Sequence, residues 1–227
     1  MIGAGNGHDL PLAKLGRRAG RLDLIDLDAD ALGRTRRRLR LAGVRPHTLT
    51  EDITAGRAEA IVQHAVTGRP LAPGPRVQRT PLGRPPYDAV IVDLLLSQLL
   101  YPALADARLS RGATDSVLLA HGQKLTNMIL GRLAASAPGG LLICLEDLLG
   151  WWPDHPQPVA LDAILALAAH DPEQALEEAL RGRVPYGCDG RVALQAAGAE
   201  VIDRALWRWP FSAGTDYLVC ATVARTG

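Results

Sequence analysis

Aromatic side chains are scarce in this sequence: Phe, Trp and Tyr together make up 4% of its 227 residues, with a single Phe. The pair Trp151-Trp152 is therefore more informative than such a pair usually is. Cysteine is rarer still. Cys144, Cys188 and Cys220 are odd in number and far apart, which excludes a disulfide framework and a C-x-x-C metal knuckle. They read as reduced thiols that pack as small apolar residues. None of the six histidines stands at a metal spacing such as H-x-x-x-H, so no metal site is expected. An excess of one charge is also missing. The 25 Lys and Arg against 24 Asp and Glu leave a formal charge of +1, with no global field to draw nucleic acid or an anionic membrane. Long apolar runs are absent too: Ala89 to Val92 and Leu94 to Leu96 are interrupted by Asp93 and then by Ser97 and Gln98. That falls far short of the roughly 20 residues of a membrane span. The opening residues are Gly-rich and polar rather than basic and then apolar, so no signal peptide is expected and the cytoplasm is the expected location.

What is present is enough for one substantial core, with 48% of residues hydrophobic and 22% charged. Short apolar runs alternate with longer amphipathic segments, the pattern of an α/β fold in which helices cover a parallel sheet. The runs predict strands over 22–26, 48–52, 89–93, 141–145, 201–206 and 217–223. Helices are predicted over 10–15, 29–41, 55–66, 115–135, 161–168 and 172–180. Residues 68–86, rich in Pro and Gly, read as a long loop within a single domain spanning 1–227. Pro138-Gly139-Gly140 separates the longest helix from its following strand.

Gly3-Ala4-Gly5-Asn6-Gly7 fits a turn between a first strand and a first helix, where absent side chains let the backbone approach a ligand. A dinucleotide turn, G-x-G-x-x-G, requires glycine at position 8, where this chain has His8, so a pyrophosphate-binding reading is demoted. The strand Leu22 to Asp26 ends in a carboxylate about 20 residues after the turn, where a ribose-binding acid is expected. Asp23 reads as a solvated residue at the start of that strand, and Asp28 as a cap of the next helix.

Taken with Glu51-Asp52-Ile53-Thr54, Tyr87-Asp88-Ala89-Val90-Ile91-Val92-Asp93 and Pro138-Gly139-Gly140-Leu141, these motifs resemble, in order, those of class I S-adenosylmethionine (SAM)-dependent methyltransferases. The resemblance covers almost the whole chain. It implies a Rossmann-like three-layer sandwich whose mostly parallel sheet ends in a C-terminal antiparallel hairpin, here Ala199 to Arg208 and Thr215 to Val223. It implies SAM as cofactor, held by Gly3, Ala4, Gly5, Asn6 and Gly7, by Asp26 with Leu27, and by Asp52 with Ile53. Asp93, at the end of the fourth strand, would close the site beneath the sulfonium, with Leu94, Ser97 and Gln98 beside it.

The activity implied is methyl transfer to oxygen or nitrogen of a small molecule, with Asp93, Glu146 and His8 as candidates for base or positioning group. Asp147 shares the sheet edge with Glu146, and Trp151-Trp152-Pro153 with Tyr101 could wall an apolar pocket. His121 would serve as a base only if its helix faced that pocket. The D/N-P-P-Y-type signature of amide or exocyclic nitrogen methylation is absent, since Asp93-Leu94-Leu95-Leu96 stands there. Nucleic acid and membrane are not expected partners, and a homodimer is left open. Two other readings remain: a SAM-binding protein without methyl transfer, and an NAD(P)-dependent oxidoreductase. Only Met1 and Ile2 precede the glycine turn, where a central strand of about 5 residues belongs. The expectation is a nearly absent central strand, from a truncated chain or a misplaced start codon, with neighbouring strands left unpaired.

Overall fold

A computed structural model describes residues 1–5, 7, 10–74, 80–154, 157–181 and 189–227. The expected α/β alternation is present. The elements are α1 (Leu12–Arg18), β1 (Asp23–Asp26), α2 (Ala29–Leu41), β2 (His47–Thr50), α3 (Arg57–Thr67), β3 (Ala89–Asp93), α4 (Tyr101–Asp106), α5 (Arg111–Ser136), β4 (Leu141–Trp151), α6 (Leu161–Ala168), α7 (Pro172–Leu180), α8 (Gly190–Ala196), β5 (Glu200–Ser212) and β6 (Thr215–Arg225). A 3-10 turn, Leu96–Gln98, follows β3.

Local chemistry sets several boundaries. The Asp28 carboxylate accepts from Ala31 N at 2.9 Å and caps α2, whose first turn holds Asp30 and whose last turn holds Arg38 and Arg40. Ala31, Leu32, Thr35 and Leu39 then form its buried stripe. Ser110 caps α5 through Ala113 N, and the helix begins at Arg111, four residues before the predicted start, because its polar first turn does not show the apolar period. The short α4 and α8 have too few turns to reveal a period in the sequence.

β1 and β2 pair in parallel, as do β3 and β4, while β6 runs antiparallel to both β4 and β5. Ile2 joins the two halves by bridging Ile25 on one side and Val92 on the other. The order across the sheet is therefore β2, β1, Ile2, β3, β4, β6, β5. Connections run outward one way from Ile2 and then the other, so the chain reverses at the Gly3 turn, where open α/β sheets bind ligands.

Ile2 stands between β1 and β3, and both neighbours are paired around it. Ile2 N donates to Ile91 O at 2.8 Å, Asp93 N to Ile2 O at 3.2 Å, and Ile25 N to Met1 O at 2.9 Å. The Met1 ammonium donates to Asp23 O at 2.8 Å. Asp23 is not the solvated residue expected from its charge. It is 4% exposed, paired with Arg84 at 2.6 Å and bonded by the Tyr87 hydroxyl at 2.9 Å. Burial pushes its carboxyl upward, but these two donors, with Arg21, hold it below the usual range.

Three apolar clusters hold the elements. Ile25, Val90, Val92, Leu142 and Cys144 meet α3, α5 and α8 on one face of the sheet. Leu148, Leu218 and Cys220 extend that face outward under α6 and α7. On the opposite face, Leu24 packs with Leu12 of α1 and with Leu32 and Leu39 of α2. Cys144 and Cys220 are buried free thiols, and burial pushes both upward, Cys220 to about 11. Cys188 lies outside the described residues.

β4 runs to Trp151 rather than stopping at Leu145, and β5 runs to Ser212 rather than to Leu206. Both extensions pair with β6, and a register shift between Asp147 and Leu149 lets the charged pair Glu146-Asp147 remain within the strand. Pro210 is tolerated because β5 is an edge strand. Among the described residues, no helix is long and apolar enough to cross a membrane.

Candidate functional site

Gly3 and Gly7 shape the turn by close packing. Gly3 has φ +69°, and a Cβ there would stand 3.1 Å from Asp93 O and 3.2 Å from Leu95 Cβ. Gly7 has φ +57°, and its Cβ would stand 2.6 Å from Leu12 Cδ1. Only glycine satisfies both the backbone angle and the space. Among the described residues, a Cβ at Gly5 would meet Gly3 O alone, at 3.9 Å.

Asp26 ties the end of β1 to this turn. Its Oδ2 accepts from Gly5 N at 2.8 Å and its Oδ1 from Asp28 N at 2.9 Å. A carboxylate has about four acceptor positions, and among the described residues these two bonds fill two of them. Leu27 beside it is 70% exposed. α2 braces the turn from behind: Thr35 Oγ1 donates to Gly5 O at 2.9 Å, and the Arg38 guanidinium donates to Gly7 O. Asn6 and His8 lie outside the described residues.

The Asp52 carboxylate turns into its own loop. One oxygen accepts from Thr54 N and Thr54 Oγ1 at 2.8 and 2.7 Å, and the other accepts from Gly56 N at 2.6 Å. Ile53 is buried in the core. This loop hangs on Arg132, whose side chain is 6% exposed. Arg132 donates to Ile53 O at 2.5 Å and to Thr80 O at 3.0 Å, and pairs with Glu51 at 3.2 Å. Sequence reasoning passed over Arg132, although a single cation inside the apolar stretch Asn127 to Ser136 is the signal of a buried, partnered charge. Thr35 and Arg38 carry no comparable signal on an exposed-looking helix.

Asp93 is 7% exposed and stands in register with Leu145. Asp147, two residues further along β4, lies on the same face of the sheet. Leu94 turns the chain sharply with φ +47° just before the 3-10 turn that carries Ser97. Burial raises the Asp147 carboxyl, and the Ser97 hydroxyl offsets part of that rise. Glu146 points the other way. A Cβ at Gly190 would stand 2.3 Å from its Oε1, which places the carboxyl under α8, with Leu148 and Leu176 lining the same small cavity. The structure therefore places Asp93 and Asp147 on one face of the sheet and Glu146 on the opposite face.

The aromatic pair divides in the same way. Trp151 packs with the α6–α7 cluster and donates to Val159 O at 3.0 Å, whereas Trp152 lies against Gly150 beside Tyr217. Tyr101 is largely exposed on α4. His121 makes an edge contact with His64 of α3, ring centroids 6.0 Å apart, in the helix layer on the far side of the sheet from Asp93. Burial and the neighbouring His64, Lys124 and Arg57 lower its proton affinity. Among the described residues, no three His, Cys, Asp or Glu side chains gather as metal ligands.

No family model and no curated protein matches the sequence. Among solved structures, the chain is similar to an N-methyltransferase from Bradyrhizobium japonicum, with 15% identity and a TM-score of 0.43 over 99% of this chain and 83% of that one. It is similar to a SAM-dependent methyltransferase from Methanosarcina mazei, with 14% identity and a TM-score of 0.45 over 99% and 90%. A third, a SAM-dependent methyltransferase from Clostridium acetobutylicum, gives 10% identity and a TM-score of 0.44 over 100% and 82%.

Proposed function

We propose that this chain binds SAM across the Gly3 turn and transfers its methyl group to oxygen or nitrogen of a small molecule. The observation that carries this reading is Asp26, locked to Gly5 N at the reversal point of the sheet. Ribose hydroxyls would be held there. Carboxylates at this sheet edge favour a cation: Asp93, whose main chain packs against Gly3, and Asp147 stand on one face of the sheet. A sulfonium and an ammonium are stabilised by such carboxylates, whereas a pyrophosphate is repelled. This supports SAM over a nicotinamide dinucleotide, as does His8 at the third glycine position of the dinucleotide pattern.

SAM supplies the electrophilic methyl group when bound. The work left to the protein is alignment, with removal of a proton where the nucleophile carries one. Asp93 is the candidate for holding positive charge beneath the turn. Asp147, raised by burial and supported by Ser97, is the candidate acceptor of the proton. Glu146, on the opposite face, is better suited to a structural role.

Calorimetric titration with S-adenosylhomocysteine, with NAD and with the Asp26→Asn variant tests the reading. S-adenosylhomocysteine is expected to bind with an affinity at least about tenfold weaker in the variant, the scale of one lost charge-assisted contact, and NAD is expected not to bind. Binding of NAD, or an affinity indifferent to Asp26, would overturn it. Turnover of SAM against a panel of small amines, phenols and carboxylic acids tests the transfer step, and cofactor binding without product would refute that half.

A further inference from the structure

The helix layer over the outer strands is not filled. Between the end of β4 and the helices α6 and α7 lies a cavity of about 230 Å³, walled by Leu149, Trp151, Pro158, Val159, Ile164 and Ala179. Protein interiors are packed so closely that voids larger than a water molecule are few, and an apolar void costs stability while it stands empty. Two hydrogen bonds hold one wall in place. Trp151 Nε1 donates to Val159 O at 3.0 Å and Gln157 Nε2 to Gly150 O at 2.8 Å, which staples the segment 157–159 across the end of β4. With its one donor engaged, the Trp151 indole leaves its ring to the cavity. Trp151 packs on the helix face, opposite Asp93 and Asp147, and at about 3.3 Å per residue it stands roughly 20 Å along β4 from Leu145, the partner of Asp93.

The cavity wall also carries one charge of each sign. Glu178 and Arg181, at the end of α7, both line it and form an ion pair, with side chains 33% and 77% exposed. Glu178 stands in the last turn of α7, where the helix dipole adds to its negative charge. An ion pair open to solvent holds itself together weakly, so a ligand that brings both opposite charges can divide it. An ammonium meets Glu178, and a carboxylate meets the guanidinium, whose planar fork takes a carboxylate by two bonds at once. Size sets the rest. An apolar cavity of about 150 Å³ takes up benzene, so this one accommodates about nine non-hydrogen atoms. That suits an aromatic side chain lying against the Trp151 ring.

We infer that this cavity is a binding site for an α-amino acid with an aromatic side chain, its ring against Trp151, its ammonium on Glu178 and its carboxylate on Arg181. The inference is independent of the cofactor reading. Calorimetric titration of the full chain with L-phenylalanine is expected to show sub-millimolar binding, and titration with L-alanine none. 3-Phenylpropanoate lacks the ammonium and phenethylamine lacks the carboxylate. Each should bind about tenfold more weakly, the scale of one charge-assisted contact. Ala179→Leu grows into the cavity and should abolish binding while the melting temperature holds or rises. Arg181→Gln, a change on an exposed side chain, gives a second test that leaves the packing of α7 alone. It should weaken L-phenylalanine about tenfold and not weaken phenethylamine. A folded parent chain that does not bind L-phenylalanine would overturn the inference. So would binding that survives Ala179→Leu, or half-ligands that bind as tightly as the amino acid. Displacement of L-phenylalanine by S-adenosylhomocysteine would also overturn it, by moving the amino acid to the Gly3 turn.

Discussion

Replacing Glu146 by glutamine should stabilise the protein, and only at neutral and alkaline pH. The Glu146 carboxyl lies between two apolar clusters, under Gly190 and beside Leu148 and Leu176. Burial first, then the charges of Asp189 and Asp147, drive it from the ordinary 4.5 to about 7, against the opposing pull of Arg191 and Arg204. A carboxyl whose folded value lies above its unfolded value binds more protons in the folded state. Its contribution is therefore full below pH 4.5 and is lost as pH rises through 7. At about 1.4 kcal/mol per tenfold change in proton affinity the loss is about 3 kcal/mol, which partial solvent access reduces to about 2 kcal/mol. Glutamine keeps the shape and cannot ionise. In urea titrations, parent and Glu146→Gln should coincide at pH 4.5 and separate by about 2 kcal/mol at pH 8, a midpoint shift of about 1 M. A variant equally stable at pH 8, or less stable there, would refute the account. The transfer proposed above should be unaffected, because Glu146 faces away from Asp93.

Two further substitutions test the frame of the site. Gly7→Ala forces a side chain onto a backbone with φ +57° and against Leu12. It should cost about 2 kcal/mol and lower the calorimetric melting temperature by about 4 to 8 °C, and an unchanged melt would contradict the packing described. Arg132→Met removes the donor to Ile53 O and Thr80 O and the partner of Glu51. The expected loss is about 3 kcal/mol, with faster amide hydrogen exchange over the Asp52 loop, and protection equal to that of the parent would show that the loop does not hang on this guanidinium.

The boundaries of β3, α2, α6 and α7 were legible because period, caps and breakers coincide there. The position of Asp26, at the end of β1 and bonded to the glycine turn, was legible as well. Where reading failed, one local signal stood for two physical situations. Glu146-Asp147 reads as the turn after a strand, but antiparallel pairing with β6 carries β4 through it, and strand alternation then sends the two carboxylates to opposite faces. Asp23 reads as solvated because its partners, Arg84 and Tyr87, are more than sixty positions away and come together only across the sheet. The single-residue central strand looked like a gap, since the sequence cannot show that Ile2 bonds to both neighbours.

That one-residue seam has a mechanical meaning. Asp26 belongs to the half of the sheet on one side of Ile2, and Asp93 to the half on the other. Within the sheet, tension between the halves passes through the few hydrogen bonds of Met1, Ile2 and Gly3. A molecule that contacted both carboxylates would couple the two halves of the sheet across Ile2.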